Sequence, residues 1–229
     1  MENIKVIGFD ADDTLWVNEN YFREAEETFC NLMAPYCLKD KIMPLLYEVE
    51  MDNLDIYGFG IKGFVLSMLE TTNKLCHDDV PKELYEQIIQ IGKSMLSKPV
   101  ELLGDVEEVL KKLSTDYKLI LATKGDLLDQ QRKLDKSGLS KYFHHVEVMS
   151  NKKERDYKKL ITHLDVEASQ FLMIGNSLKS DILPVVTIGG NAIYVPYEIT
   201  WMHEEVSEKE KAMHAYTQVE KLSDILKLF

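Results

Sequence analysis

The amino-acid sequence predicts an α/β fold: a Rossmann-like parallel-sheet core with an inserted all-helical domain. Two observations support this prediction. Short apolar runs alternate with stretches of helical periodicity, which favours parallel strands joined by right-handed crossovers. One long stretch between the first and second apolar runs shows helical periodicity alone. We therefore expect residues 1–17 and 98–229 to form the core and residues 18–97 to form the inserted domain.

Five apolar runs are predicted to be buried strands of the core. They are residues 4–9, 118–122, 146–149, 171–174 and 192–195. The first run ends abruptly in an acidic cluster formed by Asp10, Asp12 and Asp13, as a buried parallel strand does at a functional edge of its sheet. Of the intervening helices, residues 105–113 begin with acids and end with lysines, which suits the helix dipole, and residues 182–187 are expected to form a shorter helix that is broken early by Pro184.

The inserted stretch is predicted to contain about four helices, because its apolar residues recur at spacings of three and four. Near its middle, residues 57–63 read Tyr-Gly-Phe-Gly-Ile-Lys-Gly. Three glycines so close together indicate a shaped loop between helices. Tyr57 and Lys62 of this loop are candidates for contact with a substrate.

Composition and charge exclude several functional classes. The 229 residues include 27 basic and 39 acidic ones, and the net charge of −12 would repel a nucleic acid or an acidic membrane surface. No stretch approaches the roughly 18 apolar residues of a membrane span. The three cysteines lack metal-ligand spacing and are expected to be small core residues in a reducing compartment. We expect a cytoplasmic monomer or homodimer.

Polar residues follow the predicted strands where the strands end. Asp10 and Asp12 follow the first strand, Thr123 follows the second, Lys152 or Lys153 follows the third, and Asp181 lies shortly after the fourth. The carboxyl ends of parallel strands share one edge of the sheet, which is where ligands bind. Carboxylates close together repel each other, and a divalent cation with a preference for oxygen ligands, such as Mg²⁺, relieves that repulsion. A nucleophilic carboxylate, a hydroxyl, an ammonium and a second acid are the parts of a phosphoryl-transfer site.

These motifs, in this order, resemble those of the haloacid dehalogenase superfamily. The first motif, Asp-x-Asp-x-Thr after a strand, is present from Asp10 to Thr14. The second is a Thr or Ser that closes the next core strand, here Thr123, and the third is a lysine, placed at Lys152 with Lys153 as the alternative. The fourth, Gly-Asp-x-x-x-x-Asp, is found at residues 175–181 as Gly-Asn-Ser-Leu-Lys-Ser-Asp. The resemblance covers the whole chain, and the helical insert is similar to the cap domain of one subclass.

The resemblance implies a role for each matching residue. Asp10 would attack phosphorus, and Asp12 would protonate the leaving oxygen and then activate water. Mg²⁺ would be held by the Asp10 carboxylate, the Asp12 carbonyl oxygen and Asp181, while Thr123 and Lys152 would stabilise the phosphoryl oxygens. Asn176 stands where many relatives carry an acid, and its amide can still bind a cation through its oxygen or support a metal-bound water.

The implied activity is Mg²⁺-dependent hydrolysis of a small phosphorylated metabolite. The physiological substrate stays open, because the core motifs bind phosphate and leave the rest of the molecule to the insert. A 2-haloacid dehalogenase is the main alternative, although it has no need of a leaving-group acid such as Asp12. Phosphonate hydrolysis would need a lysine in the cap, which neither Lys62 nor Lys74 matches well. A binding module without catalysis is the third alternative, disfavoured by the retention of all four motifs.

Overall fold

A computed structural model describes residues 3–76, 80–212 and 215–229. The chain divides into two compact units. The first unit comprises Met1–Glu19, Val100–Lys124 and Gln130–Phe229, and the second comprises Asn20–Pro99 and Gly125–Asp129. Within the described ranges, no helix is both long enough and apolar enough to cross a membrane.

The first unit is built on a parallel β-sheet, which in the described residues has six strands in the order β3-β2-β1-β4-β5-β6. The strands are β1 (Val6–Phe9), β2 (Lys118–Lys124), β3 (His145–Met149), β4 (Phe171–Gly175), β5 (Asn191–Tyr194) and β6 (Thr217–Gln218). At the centre of the sheet, Phe9 of β1 is in register with Leu121 of β2 on one side and Ile174 of β4 on the other. The α/β fold predicted from the sequence is therefore confirmed. The edge strand β6 was not predicted.

In its described residues, the second unit contains four long helices. They are α1 (Glu19–Met33), whose first residue still belongs to the first unit, α2 (Lys39–Tyr57), α3 (Ile61–Leu75) and α4 (Lys82–Ser97). Their buried faces share one apolar core that includes Phe29, Leu46 and Met68. Only residues 58–60 lie outside the helices in the predicted glycine loop. Gly60 has a φ of 116°, a conformation that residues with a side chain avoid.

Helices cover both faces of the sheet in the first unit. The helices are α5 (Val106–Leu113), α6 (Leu127–Ser137), whose first three residues belong to the second unit, α7 (Glu154–His163), α8 (Leu183–Thr187) and α9 (Glu208–Ala212), with a π-helix over Leu178–Ile182. Along β1, Ile7 packs with α5 on one face and Val6 packs with α7 on the other, because alternate residues of a strand point to opposite faces. Pro184 lies in the first turn of α8, where its missing N–H costs no hydrogen bond, so it does not interrupt the helix.

Candidate active site

The carboxyl ends of β1 to β4 carry the polar residues singled out in the sequence. Asp10 directly follows β1, and Thr123 is the penultimate residue of β2. Lys152 comes three residues after the end of β3, and Asp181 lies in the π-helix that follows β4. All four strands are parallel, so these positions belong to one edge of the sheet.

Asp10, Lys152 and Asp181 form a buried charged cluster. Their exposed fractions are 7%, 3% and 1%. The Lys152 Nζ donates to Asp10 Oδ1 and, over 2.7 Å, to Asp181 Oδ1. Burial and then the nearby Asp181 raise the pKa of Asp10 and Lys152 lowers it, with a net pKa of about 7. Burial also disfavours the charged lysine, but the two carboxylates outweigh it and raise the pKa of Lys152. One ammonium thus bridges two carboxylates away from solvent.

The loop after β4 fixes the position of Asp181. The Ser177 N–H donates to Asp181 Oδ2 over 3.0 Å, and the Asp181 N–H donates to the Ser177 carbonyl oxygen over 2.8 Å. The fully buried Tyr157 of α7 donates from its hydroxyl to the Ser180 carbonyl oxygen over 2.9 Å. Burial raises the pKa of Tyr157 well above its usual range, so the hydroxyl stays a donor. A Cβ on Gly175 would fall on the Asp181 carboxylate, which leaves room for glycine alone.

A second group of atoms lies on the other side of the Asp10 carboxylate. The terminal amide atom of Asn176 that faces this group lies 3.1 Å from the Asp12 carbonyl oxygen and 3.2 Å from both Asp10 Oδ2 and Thr14 Oγ1. With nitrogen in that place the amide donates to these oxygens. With oxygen in that place, the amide oxygen converges with the Asp12 carbonyl oxygen and Asp10 Oδ2. Three such oxygens form a ligand set for a hard divalent cation.

The candidate ligands around Asn176 are not a cluster of acidic side chains. Within residues 3–76, 80–212 and 215–229, no three His, Cys, Asp or Glu side chains converge in a metal-binding arrangement. Asp181, expected to be a metal ligand, has Oδ1 bonded to Lys152 and Oδ2 bonded to the Ser177 N–H. The residue that faces Asp10 Oδ2 and the Asp12 carbonyl oxygen is Asn176.

The Asp12 carboxylate accepts three hydrogen bonds within the first unit. Its Oδ1 accepts from Trp16 Nε1 over 2.7 Å and from Lys133 Nζ over 2.6 Å, and its Oδ2 accepts from Gln130 Nε2 over 2.8 Å. Gln130 and Lys133 lie three residues apart on α6, so they share one face of that helix. None of the three donors was recognised in the sequence. For Gln130 and Lys133 the reason is distance, because their contacts with Asp12 span more than a hundred residues of chain.

Asp13 has a structural position. It is buried, and its carboxylate accepts hydrogen bonds of 2.9 to 3.1 Å from the backbone N–H groups of Asn18 and Glu19, at the beginning of α1. Burial raises the pKa of Asp13 to about 7, and the hydrogen bond from the Glu19 backbone opposes that shift. These contacts satisfy the first amides of the helix, a role that acidic residues commonly have.

Thr123 and the two candidate lysines differ in accessibility. Thr123 is buried at the end of β2, and its hydroxyl lies 3.2 Å from the Lys124 carbonyl oxygen. Lys152 is buried with the two acids, whereas the side chain of Lys153 is exposed and its backbone N–H donates to Asp156 Oδ2 at the beginning of α7. The structure therefore brings Lys152, and not Lys153, to Asp10 and Asp181.

A further polar network beside the strand ends was missed in the sequence. Glu204 is held by the Lys124 ammonium, by the Ser177 hydroxyl and, over 2.7 Å, by the Ser180 hydroxyl. Burial raises the pKa of Glu204, but Lys124 and the two hydroxyls outweigh burial and hold it at about 2. In the segment after β5, the rings of Trp201 and His203 contact each other, and Glu204 ties the segment to the loop after β4.

Tyr57 and Lys62 both lie in the second unit and have partners there. The Tyr57 hydroxyl lies 3.3 Å from Glu70 Oε1, and the Lys62 Nζ donates to Asp126 Oδ2 over 2.9 Å. Both side chains are largely exposed. Each side chain therefore has a polar partner and is also accessible to solvent.

Comparisons with known proteins agree with the strand-end motifs. A family model described as haloacid dehalogenase-like hydrolase matches residues 4–185. The crystal structure of a haloacid dehalogenase-like family hydrolase from Xanthomonas campestris has 37% sequence identity and a TM-score of 0.86, and the match covers 99% of this chain and 91% of that one.

Two more distant relatives extend the comparison. A glyceraldehyde 3-phosphate phosphatase from Pyrococcus furiosus is 23% identical over 99% of this chain and 94% of its own length. A HAD hydrolase from Bacillus subtilis, solved with bound magnesium, has 15% identity and a TM-score of 0.65 over 99% of this chain and 98% of its own, which shows a common fold. The family model spans most of the sequence and the Xanthomonas protein nearly all of it, and on these grounds the chain belongs to the haloacid dehalogenase-like hydrolases.

Proposed function

We propose that this hydrolase is a Mg²⁺-dependent phosphatase that acts on a small phosphorylated metabolite through an aspartyl phosphate on Asp10. The observation that carries the proposal is the buried Asp10–Lys152–Asp181 cluster at the ends of parallel strands, beside the Asn176 amide, which faces Asp10 Oδ2 and the Asp12 carbonyl oxygen. A phosphoryl group needs a nucleophile and fixed positive charge, and this edge of the sheet supplies both. The Pyrococcus relative named as a glyceraldehyde 3-phosphate phosphatase supports the same class of reaction.

The two oxygens of Asp10 have different surroundings, which supports one of them as the proposed attacking atom. Oδ2 faces Thr14 and Asn176, while Oδ1 lies against the Lys152 ammonium. Oδ1 is therefore the oxygen that bonds to phosphorus as the ester P–O bond breaks. Lys152 and the Thr123 hydroxyl hold the transferring phosphoryl oxygens, and both are buried where an electrostatic contact is strong.

Asp12 transfers protons in both halves of the proposed reaction. In the first half it gives a proton to the ester oxygen as the alcohol leaves. In the second half it takes a proton from water as the water oxygen attacks the aspartyl phosphate, which releases phosphate and restores Asp10. The acid that Asp12 provides has no use in dehalogenation, because a halide leaves without a proton, so this residue favours the phosphatase over the dehalogenase.

The proposed metal ligands are Asp10 Oδ2, the Asp12 carbonyl oxygen and the Asn176 amide oxygen. Their oxygen chemistry suits Mg²⁺, which when bound neutralises charge on the phosphoryl group and on Asp10. Asp181, which the sequence placed among the ligands, would instead fix the Lys152 ammonium beside them.

We further propose that the helical unit selects the substrate, with Tyr57 and Lys62 as binding residues. The motif residues at the strand ends recognise phosphate, which every candidate substrate shares. Tyr57 and Lys62 offer an exposed hydroxyl and an exposed ammonium, two groups that recognise hydroxylated or anionic metabolites. The expected partner is a small phosphorylated molecule, and neither nucleic acid nor membrane is needed.

The direct test is a substrate panel assayed with the purified protein. The panel contains p-nitrophenyl phosphate, glyceraldehyde 3-phosphate, phosphoglycolate, sugar phosphates, nucleoside monophosphates and 2-chloropropionate. We expect release of phosphate in Mg²⁺ and its loss in excess chelator, with Asp10→Asn as the inactive control. Brief incubation with a ³²P-labelled ester followed by acid quenching should trap label on the wild-type chain and leave the Asp10→Asn variant unlabelled.

Three results would contradict the proposal. Undiminished phosphatase activity in chelator would refute the metal requirement. Release of chloride from 2-chloropropionate, without phosphate release from any ester, would identify a dehalogenase instead. Failure to turn over any member of the panel, combined with binding of phosphate esters, would favour a binding module.

A further inference from the structure

The carboxylate of Asp12 is unusually well supplied with donors for a residue proposed to transfer protons. Trp16 Nε1 and Lys133 Nζ both donate to Oδ1, at 2.7 and 2.6 Å. Gln130 Nε2 donates to Oδ2 at 2.8 Å. A carboxylate offers about two lone-pair sites on each oxygen. Among the described residues, two donors therefore fill Oδ1, whereas a single donor leaves a site on Oδ2.

Each of the three donors is itself held in place. Trp16 is fully buried, and its backbone forms bridges with Asp12 and Leu102. Gln130 is buried as well, and its amide nitrogen bonds the Lys124 carbonyl oxygen at 2.7 Å in addition to Asp12. The Lys133 ammonium also reaches Asn18 Oδ1 at 3.1 Å. The donors are fixed by packing and by second hydrogen bonds, so they restrict the rotation of the Asp12 carboxylate.

Two acceptors determine which atom of the Gln130 amide faces Asp12. Its Oε1 is buried without a hydrogen-bond partner among the residues that the structure describes. Exchanging the two amide atoms by rotation would not give Oε1 a donor. It would place Oε1 against Asp12 Oδ2 and the Lys124 carbonyl oxygen, which are both acceptors. The nitrogen therefore stays on Asp12 Oδ2 and ties this oxygen to the end of β2, next to Thr123.

We propose that Trp16, Gln130 and Lys133 are positioning residues that hold the Asp12 carboxylate so that Oδ2 is the oxygen that exchanges protons. This inference rests on the proposed phosphatase function. When the ester P–O bond breaks, the proton on Oδ2 passes to the departing oxygen, and Oδ2 later takes a proton from the attacking water. Oδ1 takes no part, because Trp16 and Lys133 occupy it. Lys133 acts through Asp12 and has no contact with phosphate in this scheme.

A comparison of two leaving groups tests the proposal. p-Nitrophenolate leaves without a proton, whereas the alkoxide of glyceraldehyde 3-phosphate needs one. Lys133→Met should lower kcat/KM for the alkyl ester about ten-fold or more and change kcat/KM for p-nitrophenyl phosphate less than about three-fold. Lys133→Arg should recover most of the loss, since it restores a donor to Oδ1. Lys136→Met, which removes an exposed lysine from the same helix, is the matched control and should resemble wild type.

Gln130→Met provides an independent variant, because it removes the one donor on Oδ2 and leaves the Lys133 contact intact. The same selective loss on the alkyl ester supports the proposal, provided that circular dichroism shows a folded protein. If the panel identifies a better alkyl substrate, that ester replaces glyceraldehyde 3-phosphate.

The outcomes separate this inference from the proposed function. Equal losses on both esters, or no loss on either, in a folded Lys133→Met or Gln130→Met variant would overturn the positioning role alone. A wild-type protein that hydrolyses neither ester in Mg²⁺ would overturn the proposed function, and the positioning role with it.

Discussion

Replacing Lys152 by Met should destabilise the protein far more than the same change at Lys153. The Lys152 ammonium bonds the carboxylates of Asp10 and Asp181, and all three groups are almost wholly removed from solvent. Methionine keeps most of the volume of the stem but removes the charge, so two buried carboxylates would face each other without a cation. Lys153 is exposed, and the contact that fixes it is made by its backbone, which the substitution leaves in place.

The expected loss follows from the burial of the cluster. Removing one partner of a buried ion pair costs about 3–5 kcal/mol, because the remaining charge has lost both water and its counter-ion. Protonation of one carboxylate limits the cost, since burial already raises the pKa of Asp10 to about 7. A free energy of unfolding about 3 kcal/mol below wild type is therefore the expected value for Lys152→Met. An exposed substitution such as Lys153→Met should stay within about 0.5 kcal/mol.

Urea denaturation followed by circular dichroism measures the free energy of unfolding of both variants. Chelator is present so that a bound cation does not stabilise either one. Phosphate release in Mg²⁺ measures their activity in parallel, and only Lys152→Met should lose turnover. Equal stability of the two variants would show that the buried ion pair contributes little. A greater loss of activity in Lys153→Met would show that the motif lysine is Lys153.

Three further outcomes are expected. Asp10→Asn should abolish turnover, whereas Asp13→Asn should keep most of it, because the Asp13 carboxylate accepts from the backbone amides of Asn18 and Glu19 and has no proposed part in the reaction. Equal kcat values of the two variants in a phosphate-release assay would refute the distinction. The pKa of Glu204 is lowered from 4.5 to about 2, which stabilises the fold by about 3 kcal/mol above about pH 4.5 and is lost as pH falls toward 2. Glu204→Gln should therefore have a lower free energy of unfolding than wild type near pH 7, and the difference should disappear in acid. A difference that stays constant with pH would contradict this. Tyr57→Ala and Lys62→Ala should change kcat/KM unevenly across the substrate panel with the same Mg²⁺ dependence as wild type, and a uniform effect would mean that these residues do not select the substrate.

The fold was predictable because buried parallel strands are apolar along their whole length. The run at residues 118–122 contains the apolar part of β2, and the structure extends that strand to Lys124. The edge strand β6 was not predictable in this way, since it has only two residues and both are exposed. Edge strands gain their identity from the neighbouring strand, which a local pattern does not reveal.

The sequence predicted the residues of the candidate site that lie at strand ends or in motifs, but not the donors around them. The rule that parallel strands end at one edge places Asp10, Thr123 and Lys152 at the same edge of the sheet. It does not indicate which donors surround Asp12. Lys133 is 121 residues from Asp12, and its role depends on the rotation of α6, which apolar spacing defines too coarsely to place one ammonium. The contact of Glu204 with Lys124, 80 residues away, has the same cause.

Gly175 has a consequence for anyone who diversifies this protein. Its φ is not positive, so the chain conformation would accept any residue, and the restriction comes entirely from the Asp181 carboxylate that occupies the place of a Cβ. Even the smallest replacement, alanine, would displace that carboxylate and with it the partner of the buried lysine. A combinatorial library built on this scaffold should therefore keep codon 175 invariant and place its variation at exposed positions of the second unit, such as Tyr57 and Lys62.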